Sequence, residues 1–188
     1  MRAAGFLPGP TSRSYSGGVR PASFVVRQAL PADIRVVRDL VEPYAAERIL
    51  LAKEMVGYYE AVQEFAVADA GPDHGVIGCG ALHVMWEDVA EIRTLAVDRS
   101  WTGHGVGHAL VTELIGRARG MGLRRLFCLT FEVDFFAAHG FEEIDGTPVT
   151  HEVYAELLRS HDDGVAEFLD LARVKPNTLG NTRMLLEL

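Results

Sequence analysis

Cysteine is scarce in this sequence. Only Cys79 and Cys128 occur, each inside an apolar run that reads as a strand. Two such residues make no disulfide framework and read as reduced core thiols of a cytoplasmic protein. Cys128 has no adjacent basic residue that would lower its pKa and make it a nucleophile. Long apolar runs are also missing. None approaches the ~18–20 residues that a membrane helix needs, and the most apolar stretch, 75–86, contains His83. Positive charge is short as well: 18 Lys and Arg stand against 26 Asp and Glu, for a formal net charge of −8. That balance argues against a general nucleic-acid or anionic-membrane binder, which would display clustered Lys and Arg. It leaves room for an anionic ligand held locally by backbone N–H groups. There is no internal repeat.

What is present suits one domain with a real core, since the chain has 188 residues and 48% hydrophobic composition. Residues 1–22 are rich in Gly, Pro, Ser and Arg, without periodicity, and read as a disordered tail. The ordered domain spans 23–188. A short apolar strand is expected over 24–29. A helix follows from Pro31, with Ile34, Val37, Leu40 and Val41 at helical spacing. A second helix is expected over 47–63, then strands over 65–68, 76–85 and 89–97. Residues 72–75 read as a hairpin turn. Residues 106–119 form an amphipathic helix with Val106, Leu110, Leu114 and Ala118 on one stripe. A strand at 124–130, a short helix at 132–139 ending at Gly140, a strand at 141–144 and a helix led by Thr150 follow. Residues 183–188 close the chain as a strand. Three consecutive strands in the middle do not suit a doubly wound sheet. The expected class is α+β, three layers around a mixed, mostly antiparallel sheet.

The most informative stretch joins strand 89–97 to helix 106–119 through Thr102-Gly103-His104-Gly105-Val106-Gly107-His108. Glycine lets backbone approach a ligand closely and adopt positive φ. The first N–H groups of a helix lack internal acceptors, and the helix dipole favours an anion there. Two other phosphate loops fail. A P-loop needs Gly-Lys-Ser/Thr, and Lys is absent. A dinucleotide fingerprint needs a glycine three residues after Gly107, where Leu110 stands.

Residues 90–119 resemble the acetyl-CoA-binding motif of the Gcn5-related N-acetyltransferases: a strand, Gln/Arg-x-x-Gly-x-Gly/Ala, then a helix. Thr102 departs from the usual Gln or Arg. Residues 126–130 resemble the family's next strand, and Phe135-Phe136-Ala137-Ala138-His139-Gly140-Phe141 its Phe-Tyr-x-x-x-Gly-Phe. The likeness covers about 24–145. It implies that fold and acetyl-CoA as cosubstrate. It also implies that the Leu95 N–H meets the acetyl carbonyl and that Ala96 and Val97 line the pantetheine arm. The amides of Gly103, His104, Gly105, Val106, Gly107 and His108 would then take the pyrophosphate, beside Thr102 and Phe136.

Transfer to an amine requires removing an ammonium proton, stabilising an oxyanion and tolerating a thiolate. Strand alternation puts Glu91, Arg93 and Leu95 on one face. Glu91 is the candidate base, acting through water; a solvated strand-end carboxylate is its alternative, and Glu87 and Asp88 are others. The family's usual acid is a tyrosine at the position of Phe136, which cannot donate a proton, so either water protonates the thiolate or another group does. Tyr154 is a substitute more in keeping with packing.

Residues 48–67 resemble the start of the acetyltransferase domain of N-acetylglutamate synthases. The chain as a whole resembles their short actinobacterial form, which lacks an amino-acid-kinase domain. That implies L-glutamate as acceptor, in the first step of arginine biosynthesis. Two carboxylates call for convergent cations, for which the candidates are Lys53, Arg93 and Arg183, each with a surface charge as the alternative. Thr130 ends a strand near the cofactor and is a further candidate for substrate binding. His104 and His108 are four apart but lack a third ligand, so no metal is expected. Asp162-Asp163 reads as a solvated turn. Other acceptors (glutamine, aspartate or a peptide N-terminus) and a non-catalytic acetyl-CoA sensor remain as alternatives. A homodimer is left open.

Overall fold

The structure is a computed structural model that describes residues 23–51, 53–174 and 180–188. The tail expected over 1–22, and the residues 177–179 ahead of the last strand, lie outside them. Along the chain run β1 (Val25–Gln28), α1 (Ile34–Ala46), α2 (Met55–Glu60), β2 (Phe65–Asp69), β3 (Val76–Val84) and β4 (Val89–Val97). Then come α3 (Val106–Gly120), β5 (Arg125–Thr130), α4 (Val133–Ala137), β6 (Glu142–Glu143), α5 (His151–Leu157), α6 (Asp163–Phe168) and β7 (Thr182–Glu187). The strands form one sheet in the order β1-β2-β3-β4-β5-β7-β6. Every pairing is antiparallel except β4 with β5. The expected α+β, mostly antiparallel architecture is what the chain adopts.

Two layers cover the sheet. On one face α3 buries Val106, Leu110, Val111, Leu114, Ile115 and Ala118 against Ala90, Ile92, Leu126 and Cys128. Burial of each large apolar side chain is worth about 1.5–3 kcal/mol. The fit depends on Gly78, where a Cβ would stand 2.9 Å from Val106 Cγ1. The other face carries two separate clusters. Ile34, Val37 and Val41 of α1 pack with Val67, Cys79 and Ala96. Val165 and Phe168 of α6 pack with Val89 and Phe127. The gap between these clusters lies over the middle of β4.

Three local departures from the expected pattern shape that gap. First, the helix expected over 47–63 is mostly loop; only α2 and a single 3-10 turn, Val62–Glu64, are helical. The chain leaves α1 through a Schellman-type cap, with Arg48 N–H donating to Ala45 O and Ile49 N–H to Tyr44 O. Arg48 occupies the left-handed position, φ 60°, that glycine usually takes, so no glycine announces the stop. Second, β4 does not alternate throughout. Its register with β3 shifts between Cys79 and Ala81, and Thr94 takes φ 56°. This bulge keeps Glu91 and Arg93 on the cavity face but turns the Leu95 side chain to the α3 face, against Leu114 and Gly80. Leu95 therefore does not share a face with Glu91 and Arg93. Third, β4 and β5 pair only over Val89–Arg125, Ala90–Leu126 and Glu91–Phe127. Beyond Glu91 the two strands part, and that edge of β4 is open.

Candidate active site

The gap is a cavity of about 1150 Å³. Described residues between Ala45 and Glu64 supply one wall, residues between His161 and Glu167 the other, and Glu91, Arg93 and Thr94 of β4 the floor. Arg93 is its hub. The guanidinium donates to Asp162 Oδ1 at 2.8 Å and to Glu64 Oε2 at 3.1 Å. Glu64 is held on its other oxygen by His83 Nδ1 at 2.7 Å. Burial alone would raise the carboxyl pKa of both Asp162 and Glu64. Arg93 with the Val165 amide outweighs it for Asp162, and His83 with Arg93 outweighs it for Glu64, so both stay below their usual values. Asp162 is thus no solvated turn. It caps α6 by accepting from Val165 N–H at 3.0 Å and ties that helix to β4.

Glu91 lies in the floor beside Arg93. It is 3% exposed, and its Oε2 has no hydrogen-bond partner among the described residues. Arg93 Nη1 lies 3.7 Å away, within ion-pair range but beyond hydrogen-bond length. Burial raises the Glu91 pKa, opposed mainly by Arg93. A buried carboxyl with a raised pKa and an unused oxygen is suited to proton transfer. Gly164 of α6 lies directly over it. A Cβ there would stand 2.6 Å from Glu91 Oε2, 2.9 Å from Arg93 Nη1 and 3.0 Å from Asp162 Oδ1. Gly164→Ala is expected to push α6 off the floor. It should cost about 1–3 kcal/mol of stability, seen by urea unfolding, and lower kcat while leaving acetyl-CoA affinity unchanged.

Of the expected cations, two converge. Arg93 and Lys53 both line the cavity. Lys53 forms no ion pair among the described residues, and burial followed by the nearby Arg93 lowers its pKa. Arg183 lies elsewhere. Its guanidinium donates to the backbone carbonyls of Glu167 (2.8 Å), Phe168 (2.6 Å) and Gly146 (3.0 Å) and stacks over Phe127. It anchors the end of α6 instead of lining the cavity. Thr130 is also outside it, its hydroxyl accepting from Glu132 N–H at 2.8 Å. Phe136 is 5% exposed and packed in the α3-side core; Phe135 is the ring that touches the glycine loop, at Gly107. Among the other acid–base candidates, Asp88 is paired with Arg125, and Tyr154 packs with α6, its hydroxyl donating to Leu169 O at 3.4 Å. Both cysteines are free and buried. Burial pushes the Cys79 thiol up to about 12 and raises that of Cys128 as well, so neither is a nucleophile. Glu64, His83, Gly164, Glu167 and Arg48, all lining the cavity, were not anticipated. His83 carried the one visible signal, a lone ionisable group in an apolar strand.

The glycine loop lies past the open end of β4. Gly103 and Gly105 take φ 80° and 79°, and Gly105 caps α3 without a side-chain bond. The amides of Val106, Gly107 and His108 therefore start a 15-residue helix with no side-chain cap bond, an anion site of the kind helix termini make. Gly107 has a packing reason too, since a Cβ would meet the Phe135 ring at 3.3 Å. His108 Nδ1 lies 2.8 Å from His139 Nε2, and His104 Nδ1 lies 3.1 Å from the Thr102 carbonyl. No metal-holding group of His, Cys, Asp and Glu occurs among the described residues. The Val97 carbonyl accepts from Tyr44 O–H at 2.6 Å, which leaves it one further lone pair.

A parted strand pair, an uncapped glycine-led helix and a carboxyl-floored cavity define an acyl-transfer enzyme that takes its donor from a phosphorylated carrier. The chain belongs to the acetyltransferase (GNAT) family, whose model matches residues 35–143. An amino-acid acetyltransferase of Mycobacterium tuberculosis is 59% identical over 87% of this chain and 94% of its own length. The crystal structure of Rv2747 from Mycobacterium tuberculosis, in complex with CoA and NLQ, superposes with a TM-score of 0.84 at 60% identity, covering 87% of this chain and 99% of that one. N-acetylglutamate synthase from Neisseria gonorrhoeae, complexed with coenzyme A and N-acetyl-glutamate, gives a TM-score of 0.68 at 25% identity. That match covers 89% of this chain and 35% of the longer protein.

Proposed function

We propose that this chain transfers the acetyl group of acetyl-CoA to the α-amine of L-glutamate by direct attack within a ternary complex. The observation that carries this is the meeting, in one cavity, of a buried carboxyl, Glu91, with an oxygen unused among the described residues, and a lysine, Lys53, with no ion pair among them. The cavity adjoins the point where β4 leaves β5. Acetyl-CoA supplies the activated carbonyl and a thiol leaving group. Its pantetheine arm fits along the open edge at Leu95, Ala96 and Val97, with the Leu95 N–H facing the acetyl oxygen. Its pyrophosphate fits the amides of 103–108. Glu91 takes the ammonium proton, directly or through a water. Lys53, with Arg48 at the rim, meets the substrate carboxylates. In a cell this would be a cytoplasmic step of arginine biosynthesis, and the protein would work alone or as a homodimer.

A second reading has one observation in its favour. Arg93 is already held by carboxylates, and Glu47, Glu54 and Glu60 also line the wall. Such a wall favours an acceptor with a single carboxylate and a neutral end, such as glutamine.

Thiol release with glutamate, glutamine, aspartate, lysine and a short peptide separates these. Turnover of glutamate is expected. Turnover restricted to lysine or the peptide would reject the carboxylate pocket, and acetyl-CoA binding without any turnover would point to a sensor. Lys53→Ala should raise the KM for glutamate about 10–100-fold with kcat little changed, the size of a lost charge-assisted hydrogen bond. An unaltered KM would remove Lys53 as an anchor.

A further inference from the structure

The position that usually carries the acid is occupied by Phe136, buried in the core, so the sulfur takes its proton from water or from another group. Glu167 has the required placement. It is 7% exposed and lines the same cavity as Glu91. In α6 it stands three residues after Gly164, on the same helix face, and Gly164 rests on Glu91 Oε2. Its carboxyl has no hydrogen-bond or ionic partner among the described residues. Its backbone is fixed, because Arg183 holds the carbonyls of Glu167 and Phe168.

We propose that Glu167 is the proton-holding partner of Glu91, the two carboxyl groups sharing one proton and working as a single acid–base pair. This rests on reading the cavity as the acceptor site. Becoming an amide costs the acceptor ammonium two protons. As the nitrogen–carbon bond forms and the carbon–sulfur bond breaks, the sulfur keeps the bonding electrons and needs one proton; the other goes to solvent. A pair holding one proton at rest has a carboxylate to receive from nitrogen and a carboxyl to release toward sulfur. It accepts two, gives up two, and ends as it began.

The electrostatics agree. Burial, then the Glu91 charge, then Asp163 and Asp162, raise Glu167 to about 7, with Arg93 opposing. Glu91 in turn faces Arg93, His83, Asp162 and Lys53. The Glu91 charge thus reaches Glu167, and a carboxyl raised by a neighbour's charge releases its proton more readily once that charge is neutralised.

The test is carbon-13 carboxyl NMR of the glutamate-labelled, ligand-free protein, with kinetics in parallel. Glu167 should titrate near neutral pH in the wild type and about one pH unit or more lower in Glu91→Gln, where the neighbouring charge is gone. Glu167→Gln should lower kcat about 10²-fold or more and erase the alkaline limb of its pH profile, with the KM for glutamate held. An identical Glu167 midpoint in both proteins would overturn the pair. So would a Glu167→Gln kcat within about twofold of an active wild type. Coupled titration in a wild type that turns over no amine would instead overturn the acceptor reading, and the catalytic role with it.

Discussion

Glu91→Gln is expected to lower kcat by about 10²–10⁴-fold, the usual worth of a positioned general base, with acetyl-CoA affinity nearly unchanged. The amide keeps the shape of the side chain beneath Gly164 but cannot accept the ammonium proton. Acetyl-CoA is expected to bind along the other half of β4 and at the loop 103–108, so its affinity should not follow. The pH profile carries the sign. Burial raises the Glu91 pKa, so wild-type kcat falls as pH drops through a value above the ordinary carboxylate range. The glutamine variant should lack that limb. Steady-state kinetics across pH, with calorimetric acetyl-CoA binding, measure both. A variant kcat equal to wild type at every pH would remove Glu91 as the base.

Arg93→Met should unfold far more easily than wild type, by about 3–5 kcal/mol, the cost of stranding buried charges. That corresponds to a fall of about 6–20 °C in Tm for a domain of this size. Arg93 contacts Asp162, Glu64 and Glu91 at 2.8, 3.1 and 3.7 Å. Methionine keeps most of the volume and none of the charge. The pKa values of Asp162 and Glu64 are lowered in the folded protein. Their contribution is therefore present above the unfolded carboxylate range and lost as pH falls through the folded values. The deficit of the variant should accordingly be largest near neutral pH and shrink in acid. Urea titrations at several pH values check this; equal stability at neutral pH would mean that the carboxylates are solvated and Arg93 is no hub.

The parts of this site that were legible in the sequence are those made by local rules. The loop at 103–107 is announced by glycines between a strand and an amphipathic helix, and its left-handed residues and open amides follow from that chemistry. Glu91 and Arg93 share a face because the first half of β4 alternates. What escaped is what long-range packing decides. A helix is expected over 47–63, yet Arg48 fills the left-handed cap position and the chain opens into the wall that carries Lys53. The bulge at Thr94 reverses the side of Leu95 with no glycine or proline to mark it. Helix α6 returns across the sheet to lay Asp162, Gly164 and Glu167 over Glu91, although more than 70 residues separate them. Arg183, a free cation by sequence, is held by three carbonyls of segments that only the fold brings near.

The decisive measurement is a crystal structure with CoA and L-glutamate bound. The expected result has the glutamate amine about 3 Å from a Glu91 oxygen, or one water away, and a carboxylate on Lys53 Nζ. Glutamate bound outside the cavity, or inside it with its amine turned from Glu91 and its carboxylates away from Lys53, would contradict both the site and the chemistry assigned to it.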